Sequence, residues 1–472
     1  MKIASIDVNL FIDDTKKLLE EDPSASPAIK ACMSTFLVLF SVLLGRLGLN
    51  SKNSSKPPST DQGPNNNRGK GKNSKPGGQK GRTGKTLTQT SKPDVVEFLE
   101  VDRSSLPPGE YTKLGVEKRQ VFDLKFEVEI TEYQAEVLQD ASGKKFVAPF
   151  PDEVTQPVQY GAQVKSHAVY LSQYQMLPYE RIREYFTDQL SLPISVGTLC
   201  NFNAKAYERI TELQVLDKIK GKLQNSPVLH VDETGVNINS IRQWLHTAST
   251  SQWAYLAHHE KRGSIATDEI AILPNYSGVL VHDHWKPYFK YQCEHALCNA
   301  HHLRELEFSW QKEEQKWARE MQDFLLTTHR TVQDSGGKLR YSQLKKHLLL
   351  YRGILGRAEQ ECPEPAPIPG KRGRTKKSKS RNLLERLIKY QKEVLRFMFH
   401  PDVPFTNNQA ENDIRMSKVQ QKISGCFRSS DGAKNFCAIR SYLLSCCKQN
   451  ISASTALQLL FSGHLPDIFV GG

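Results

Sequence analysis

Three carboxylates in this chain, Asp232, Asp283 and Glu411, stand in settings suited to holding a divalent cation beside a phosphate. Asp232 follows the apolar run Val228-Leu229-His230-Val231 and precedes Glu233, Thr234 and Gly235. Asp283 repeats the arrangement after Val279-Leu280-Val281-His282. A buried strand that ends in an aspartate delivers the acid to the rim of a sheet, where a substrate can reach it. Either aspartate alone reads equally well as a turn residue. Two in one sheet can lie close together, and like charges that near are costly unless a cation neutralises them. Oxygen donors of this kind hold Mg²⁺ together with water and substrate phosphate. Two such ions about 4 Å apart can activate an attacking oxygen and stabilise a leaving one in phosphoryl transfer.

The third acid sits in Phe405-Thr-Asn-Asn-Gln-Ala-Glu-Asn-Asp-Ile-Arg-Met-Ser-Lys418. Thr406 or Asn407 can cap a helix whose first turns carry Glu411. Arg415 is four residues further on and Lys418 seven, so all three share one helical face. That pattern gives a carboxylate for a metal and two cations for phosphates. A solvated helix face with an i,i+4 salt bridge is the other reading of the same residues.

The elements that must position these groups follow from periodicity. After the Asp232 strand come Gln243-Trp-Leu-His-Thr-Ala248 and Trp253-Ala-Tyr-Leu-Ala257, a turn at Lys261-Arg262-Gly263, a helix with Ile270 and Leu273, and the Asp283 strand. Three strands, a helix and a fourth strand open a ribonuclease-H-like fold, so the expected class is α/β. Between Asp283 and Glu411 lie 127 residues, too many for a connection in a compact sheet. Trp317, Met321, Leu325 and His329 recur at helical steps there. A catalytic core at 225–300 and 401–450 is therefore expected to carry a helical insertion at 301–400. Phe427, Phe436, Ile439, Tyr442 and Leu443 fall on closing helices beneath the sheet, before a tail at 451–472.

Upstream, residues 161–224 read as helices opening near Val164, at Pro178 and at Ser195. They suit either a helix-turn-helix reader of DNA or plain helical packing. Residues 91–160 read as a small β-rich module, because Phe122, Leu124, Phe126, Val128 and Ile130 alternate. Residues 51–90 read as a disordered basic linker. Residues 1–50 read as a helical element in which Leu37, Phe40, Leu44 and Leu47 suit a short coiled coil or an amphipathic helix, either of which could join two or more copies.

The net charge of +13 and pI near 9.1 favour a polyanionic partner, nucleic acid before an anionic membrane. The linker concentrates Arg68, Lys70, Lys72, Lys80 and Arg82 among Gly, Pro, Ser and Asn, a composition suited to neutralising phosphates. In the insertion, Arg372-Gly-Arg374 resembles arms that place arginines in a narrow minor groove, and an exposed loop is the alternative. Nine cysteines without framework spacing, and no apolar leader, fit reduced thiols in the cytosol. The longest apolar run, 31–45, is shorter than the roughly 18–20 residues that span a bilayer, so no membrane segment is expected.

Several stretches together carry a resemblance that covers nearly the whole chain. They are Leu49-Asn-Ser51 leading into Asn53-Ser-Ser-Lys-Pro-Pro-Ser59, Leu177-Pro-Tyr-Glu-Arg181, His230-Val-Asp-Glu-Thr-Gly235, Val281-His-Asp283, Cys298-Asn-Ala-His-His-Leu-Arg-Glu-Leu306, Asn407-Asn-Gln-Ala-Glu411 and Lys418-Val-Gln-Gln-Lys-Ile-Ser-Gly425. The chain resembles a bacterial insertion-sequence transposase of the DDE class, of the IS66 type. The resemblance implies a ribonuclease-H-like core in which Asp232, Asp283 and Glu411 bind two Mg²⁺, with Mn²⁺ as a substitute, and cut and join DNA ends. It implies terminal inverted repeats and target duplex as partners, a dimer or higher oligomer on DNA, and a cytoplasmic, nucleoid-associated location. Lys418 occupies the place of a lysine that follows the catalytic glutamate in several such families.

Two departures matter. The tyrosine and arginine that precede the glutamate in those families are replaced here by Pro404 and Asn407, so a hairpin intermediate is not implied. Many relatives carry a cysteine-rich zinc module before the strand-rich region, whereas 91–160 contains no cysteine. The cluster Cys293-x-His-x-x-Cys298 with His301 and His302 matches no common zinc spacing, and zinc is not expected. A non-catalytic DNA-binding derivative and a structure-specific nuclease remain the alternative readings.

Overall fold

The structure, a computed structural model, describes residues 2–3, 6–47, 49–54, 87–366 and 375–470. It is a mixed α/β chain. Near the start, β1 (Lys2–Ile3) and β2 (Ile6–Asp7) precede the helical hairpin α1 (Val8–Glu21) and α2 (Pro27–Leu47). Within the hairpin Ile12 packs on Leu37, so Leu37 faces α1. Much of the remaining apolar surface of α2 is exposed, including Phe36 and Leu39. No described helix is long and apolar enough to cross a membrane.

Residues 91–160 differ from the expected β-rich module. They hold the hairpin β3 (Val137–Gln139) and β4 (Lys145–Val147), and the alternating run 121–130 forms no strand. Alternation produces an apolar face, but a strand persists only where another element covers that face and pairs its edges. Here Phe122, Leu124 and Ile130 are exposed.

Four helices then lead to the sheet: α3 (Ala162–Val169), continued by a π-turn at Tyr170–Tyr174, α4 (Tyr179–Leu190), α5 (Val196–Glu212) and α6 (Val215–Gln224). Ser195 caps α5 by accepting the Thr198 N–H at 3.0 Å, as its position predicts. The apolar stripe Leu199, Phe202, Ala206 and Ile210 of α5 is buried in the main core rather than presented to a partner.

The central sheet contains β5 (Val228–Ile238), β6 (Ile241–Ser249), β7 (Ala254–His259), β8 (Val279–His282) and β9 (Glu294–Leu297), in the order β7-β6-β5-β8-β9. The first three are antiparallel, whereas β8 and β9 run parallel to β5. Asn239 and Ser240, both at positive φ, make the two-residue turn between β5 and β6. The short α7 (Ser264–Ile270) makes the crossover to β8.

One face of the sheet gives Leu229, Val231, Tyr255 and Leu280 to a core shared with α3 to α6, α14 (Ser430–Lys448) and α15 (Ala453–Phe461). On the other face Val228, Val279, Val281 and Ala296 pack with Val403. Further along that face, Val236 and Leu245 meet Ile414 of α13 (Asn408–Ser424). Between β9 and α13 the chain forms α8 (Asn299–Glu313), α9 (Lys316–Asp334), α10 (Tyr341–Glu361), α11 (Lys379–Lys389) and α12 (Gln391–Val394). These have their own core, with Trp317, Met321, Leu325, Tyr351 and Leu384.

The outer edge of β7 is closed by serines of α14. Ser445 Oγ accepts the Ala254 N–H at 3.1 Å and Ser441 Oγ accepts the Leu256 N–H at 2.8 Å. The helix thus satisfies edge amides that would otherwise invite another strand. Ser441→Ala is expected to leave a buried N–H unpaired and cost about 1–3 kcal/mol. A urea denaturation midpoint identical to that of the native chain would contradict this.

Candidate active site

The sheet register brings the two aspartates together. Val228 pairs with Val279 and His230 with Val281, an offset of 51, and the same offset carried two residues further sets Asp232 beside Asp283. Side chains alternate along a strand, so Asp232 shares the face of Val228 and His230, and Asp283 shares that of Val279 and Val281. Both acids therefore look to one side of the sheet, just beyond the end of β8.

Asp232 is not at a strand end, as the sequence suggests. β5 continues through it to Ile238, paired with β6 and, at Ile238, bridged to Phe427. The parallel neighbour stops at His282, and this leaves Asp232 half-buried and open on that side. Alternation turns Glu233 to the opposite face. There its side chain, 1% exposed, accepts bonds from Arg262 Nη2 at 2.6 Å and Nε at 3.0 Å, and from the buried Tyr288 hydroxyl. Tyr288 lies five residues after Asp283, so Glu233 braces the strand of Asp232 to the loop behind Asp283. Asp283 Oδ1 accepts the Trp285 N–H at 3.0 Å.

Glu411 arrives in the first turn of α13. Asn407, the residue before that helix and 1% exposed, spends its side chain on the sheet rather than on a cap. Its amide donates to the Val231 carbonyl at 2.7 Å and its Oδ1 meets His230 Nδ1 at 2.9 Å. Its backbone N–H donates to Cys298 Sγ at 3.1 Å. Asn407 thus ties the helix of Glu411 to the strand of Asp232 and to the start of α8. Two residues after Glu411, Asp413 forms a buried 2.7 Å ion pair with Lys448 that locks α13 to α14.

Electrostatics record the same proximity. Burial first, then the negative charge of Glu233 and of Asp283, with a further contribution from Glu411, hold the Asp232 carboxyl well above the usual carboxylate range. Burial lowers His282 well below its ordinary value and His302 to about 3, so both are neutral packing residues. His301 is also lowered, by burial and then by Arg304, and burial raises the Cys298 thiol to about 11. Glu411 Oε1 lies 3.9 Å from both Cys298 Sγ and His301 Nδ1.

Arg415 is exposed on α13. The Lys418 amine reaches the Gly235 carbonyl on β5, and burial followed by the charge of Arg242 lowers its pKa. Arg68, Lys70, Lys72, Lys80, Arg82, Arg372 and Arg374 lie outside the described residues.

A family model described as the transposase IS66 family matches residues 157–435, a stretch that contains all three carboxylates and the insertion between them. The chain belongs to that family. A comparison with curated proteins finds no match.

In this IS66 transposase, the sequence motifs include Asn407 and the Cys298-Asn-Ala-His301 stretch without revealing their work. Asn407 reads as a helix cap because cap residues and sheet-anchoring residues are the same types. Arg262 reads as part of a turn, and only the folded chain shows that it neutralises Glu233. Glu233→Gln keeps an acceptor for Tyr288 and is expected to cost about 1 kcal/mol, the loss being softened by the half-exposed Arg262. Glu233→Ala strands the Tyr288 hydroxyl and is expected to cost about 2–4 kcal/mol. Equal denaturation midpoints for the two variants would contradict the brace.

Proposed function

We propose that this transposase binds the inverted terminal repeats of its own element as duplex DNA, cuts at the element ends and joins them to target DNA. The observation that carries the reading is the in-register pair Asp232 and Asp283, served on the same side of the sheet by the helix of Glu411. The strand order, an antiparallel trio continued by two parallel strands, supports a ribonuclease-H-like core with the helices of 301–400 inserted before its last acidic residue.

The donor set fits hard divalent cations. Asp232 and Asp283 share one side of the sheet. Burial, then the charges of Glu233 and Asp283, with a smaller contribution from Glu411, keep the Asp232 carboxyl high until positive charge offsets it. Asp232, Asp283 and Glu411 would hold Mg²⁺, with Mn²⁺ as a substitute. Bound there, the cations would neutralise charge at the scissile phosphate and render an attacking hydroxyl or water more acidic. The chain's own residues supply position. Asn407 couples Glu411 to Asp232, and Glu233 with Tyr288 steadies the loop behind Asp283. Arg415 and Lys418 extend from Glu411 along α13, over about 10 Å for the seven-residue step, and supply cations for DNA phosphates.

The basic residues Arg68, Lys70, Lys72, Lys80, Arg82, Arg372 and Arg374 extend the phosphate contacts by their charge. The exposed apolar seam Ile29, Met33, Phe36, Phe40 and Leu43 on α2, spaced by four and three residues, supports association of copies on DNA. A DNA partner and reduced cysteines suit a cytoplasmic, nucleoid-associated protein.

Asp232→Ala is expected to lower Mg²⁺-dependent cleavage of a terminal-repeat duplex at least about 1,000-fold, consistent with several kcal/mol of lost transition-state stabilisation. Mobility-shift affinity should stay near native, and cleavage retained by the variant would overturn the assignment. Asp232→Asn should cost far more activity than Glu233→Gln, and the reverse order would point to the wrong carboxylate. Replacing Arg372 and Arg374 together by Ala should reduce the slope of log affinity against log salt by about 2. An unchanged slope would remove them from the interface.

A further inference from the structure

We infer that Cys298, His301 and Glu411 form a second cation site, which takes a thiophilic divalent ion such as Zn²⁺ and withdraws Glu411 from Asp232 and Asp283. The inhibitory consequence rests on Glu411 serving the DNA-processing site, whereas the binding itself does not.

Among the described residues, these three are the ones whose donor atoms all lie within 4.8 Å of one another. Glu411 Oε1 is 3.9 Å from Cys298 Sγ and from His301 Nδ1. Tetrahedral zinc with bonds of about 2.0–2.3 Å needs its donors roughly 3.3–3.8 Å apart, so a contraction of a few tenths of an ångström brings Glu411 into range of both partners. Cys298 and His301, no more than 4.8 Å apart, close on the ion by side-chain adjustment. His301 Nδ1 is buried and has no hydrogen-bond partner, so its lone pair is uncommitted. Cys298 Sγ already accepts the Asn407 N–H at 3.1 Å, the kind of outer contact that orients and stabilises a thiolate ligand.

The frame is rigid. Cys298 immediately precedes α8, His301 lies in its first turn, and Glu411 lies in the first turn of α13. Two helix N-termini therefore converge on a carboxylate and on a thiol that gives up its proton when metal binds. A thiolate, an imidazole and one carboxylate form a softer set than three carboxylates, and they select zinc over magnesium. With three protein donors, a fourth position stays open to water. Because both sites draw on Glu411, occupancy of one excludes its full use by the other.

The test is Co²⁺ titrated into the full-length protein and followed by absorption. A thiolate-to-cobalt charge-transfer band with four-coordinate d–d bands is expected, saturating at one equivalent and displaced by Zn²⁺. Cys298→Ser should lose the band, and His301→Gln, which leaves the thiol in place, should weaken binding at least about 100-fold. Asp232→Ala should retain the band, which separates this site from the carboxylate reading. In Mg²⁺ cleavage reactions, added Zn²⁺ should slow the native chain without further slowing Cys298→Ser. A native chain without the band, a band unchanged in Cys298→Ser, or a band lost in Asp232→Ala would each overturn the proposal. Absence of any DNA cleavage alongside an intact band would remove the DNA-processing reading and leave the metal site standing.

Discussion

An aspartate on β5 beside a second one just past the end of the parallel strand β8 is electrostatically unfavourable, and the fold around them is arranged to keep them there. The register of β5 and β8 sets Asp232 opposite the extension that carries Asp283. Backbone pairing and the apolar contacts of Val228, Val279 and Val281 fix that register, because a one-residue slip would turn every side chain to the other face. Burial first, then the charges of Glu233 and Asp283, raise the Asp232 carboxyl. Such a pair is tolerated where the surrounding structure over-determines it, and it is useful where a cation is to be held.

Three devices provide that rigidity, and each reaches across the sequence. Asn407 bonds to residues 230 and 231 and so brings Glu411 to the aspartates. Glu233 bonds to Tyr288 and Arg262 and so ties the back of β5 to the loop behind Asp283. The Asp413–Lys448 pair anchors α13 to the helix that closes the sheet edge. The insertion lies between Asp283 and Glu411 in sequence, yet its first helix brings Cys298 and His301 back to Glu411. It is therefore wired into the carboxylate cluster as well as being a separate helical core.

Much of this was legible in the sequence. The apolar runs before Asp232 and Asp283, the helix that begins after Asn407, and the four-residue spacing of Trp317, Met321 and Leu325 gave the elements and their order. Local pattern failed where pairing decides the outcome. Asp232 looked terminal because polar residues follow it, yet β6 pairs with those residues and keeps the strand going to Ile238. Residues 121–130 looked like a strand because they alternate, yet among the described residues no element covers their apolar side. The closeness of Cys298 and His301 to Glu411 was not legible, because Glu411 comes from another helix far along the chain. Spacing rules see only donors that are close in sequence.

The most direct measurement is anomalous scattering from crystals of the full-length protein grown with Mn²⁺. The account predicts a manganese peak coordinated by the carboxylates of Asp232 and Asp283, with Glu411 turned toward it. Manganese bound elsewhere while these two carboxylates remain unligated would contradict it.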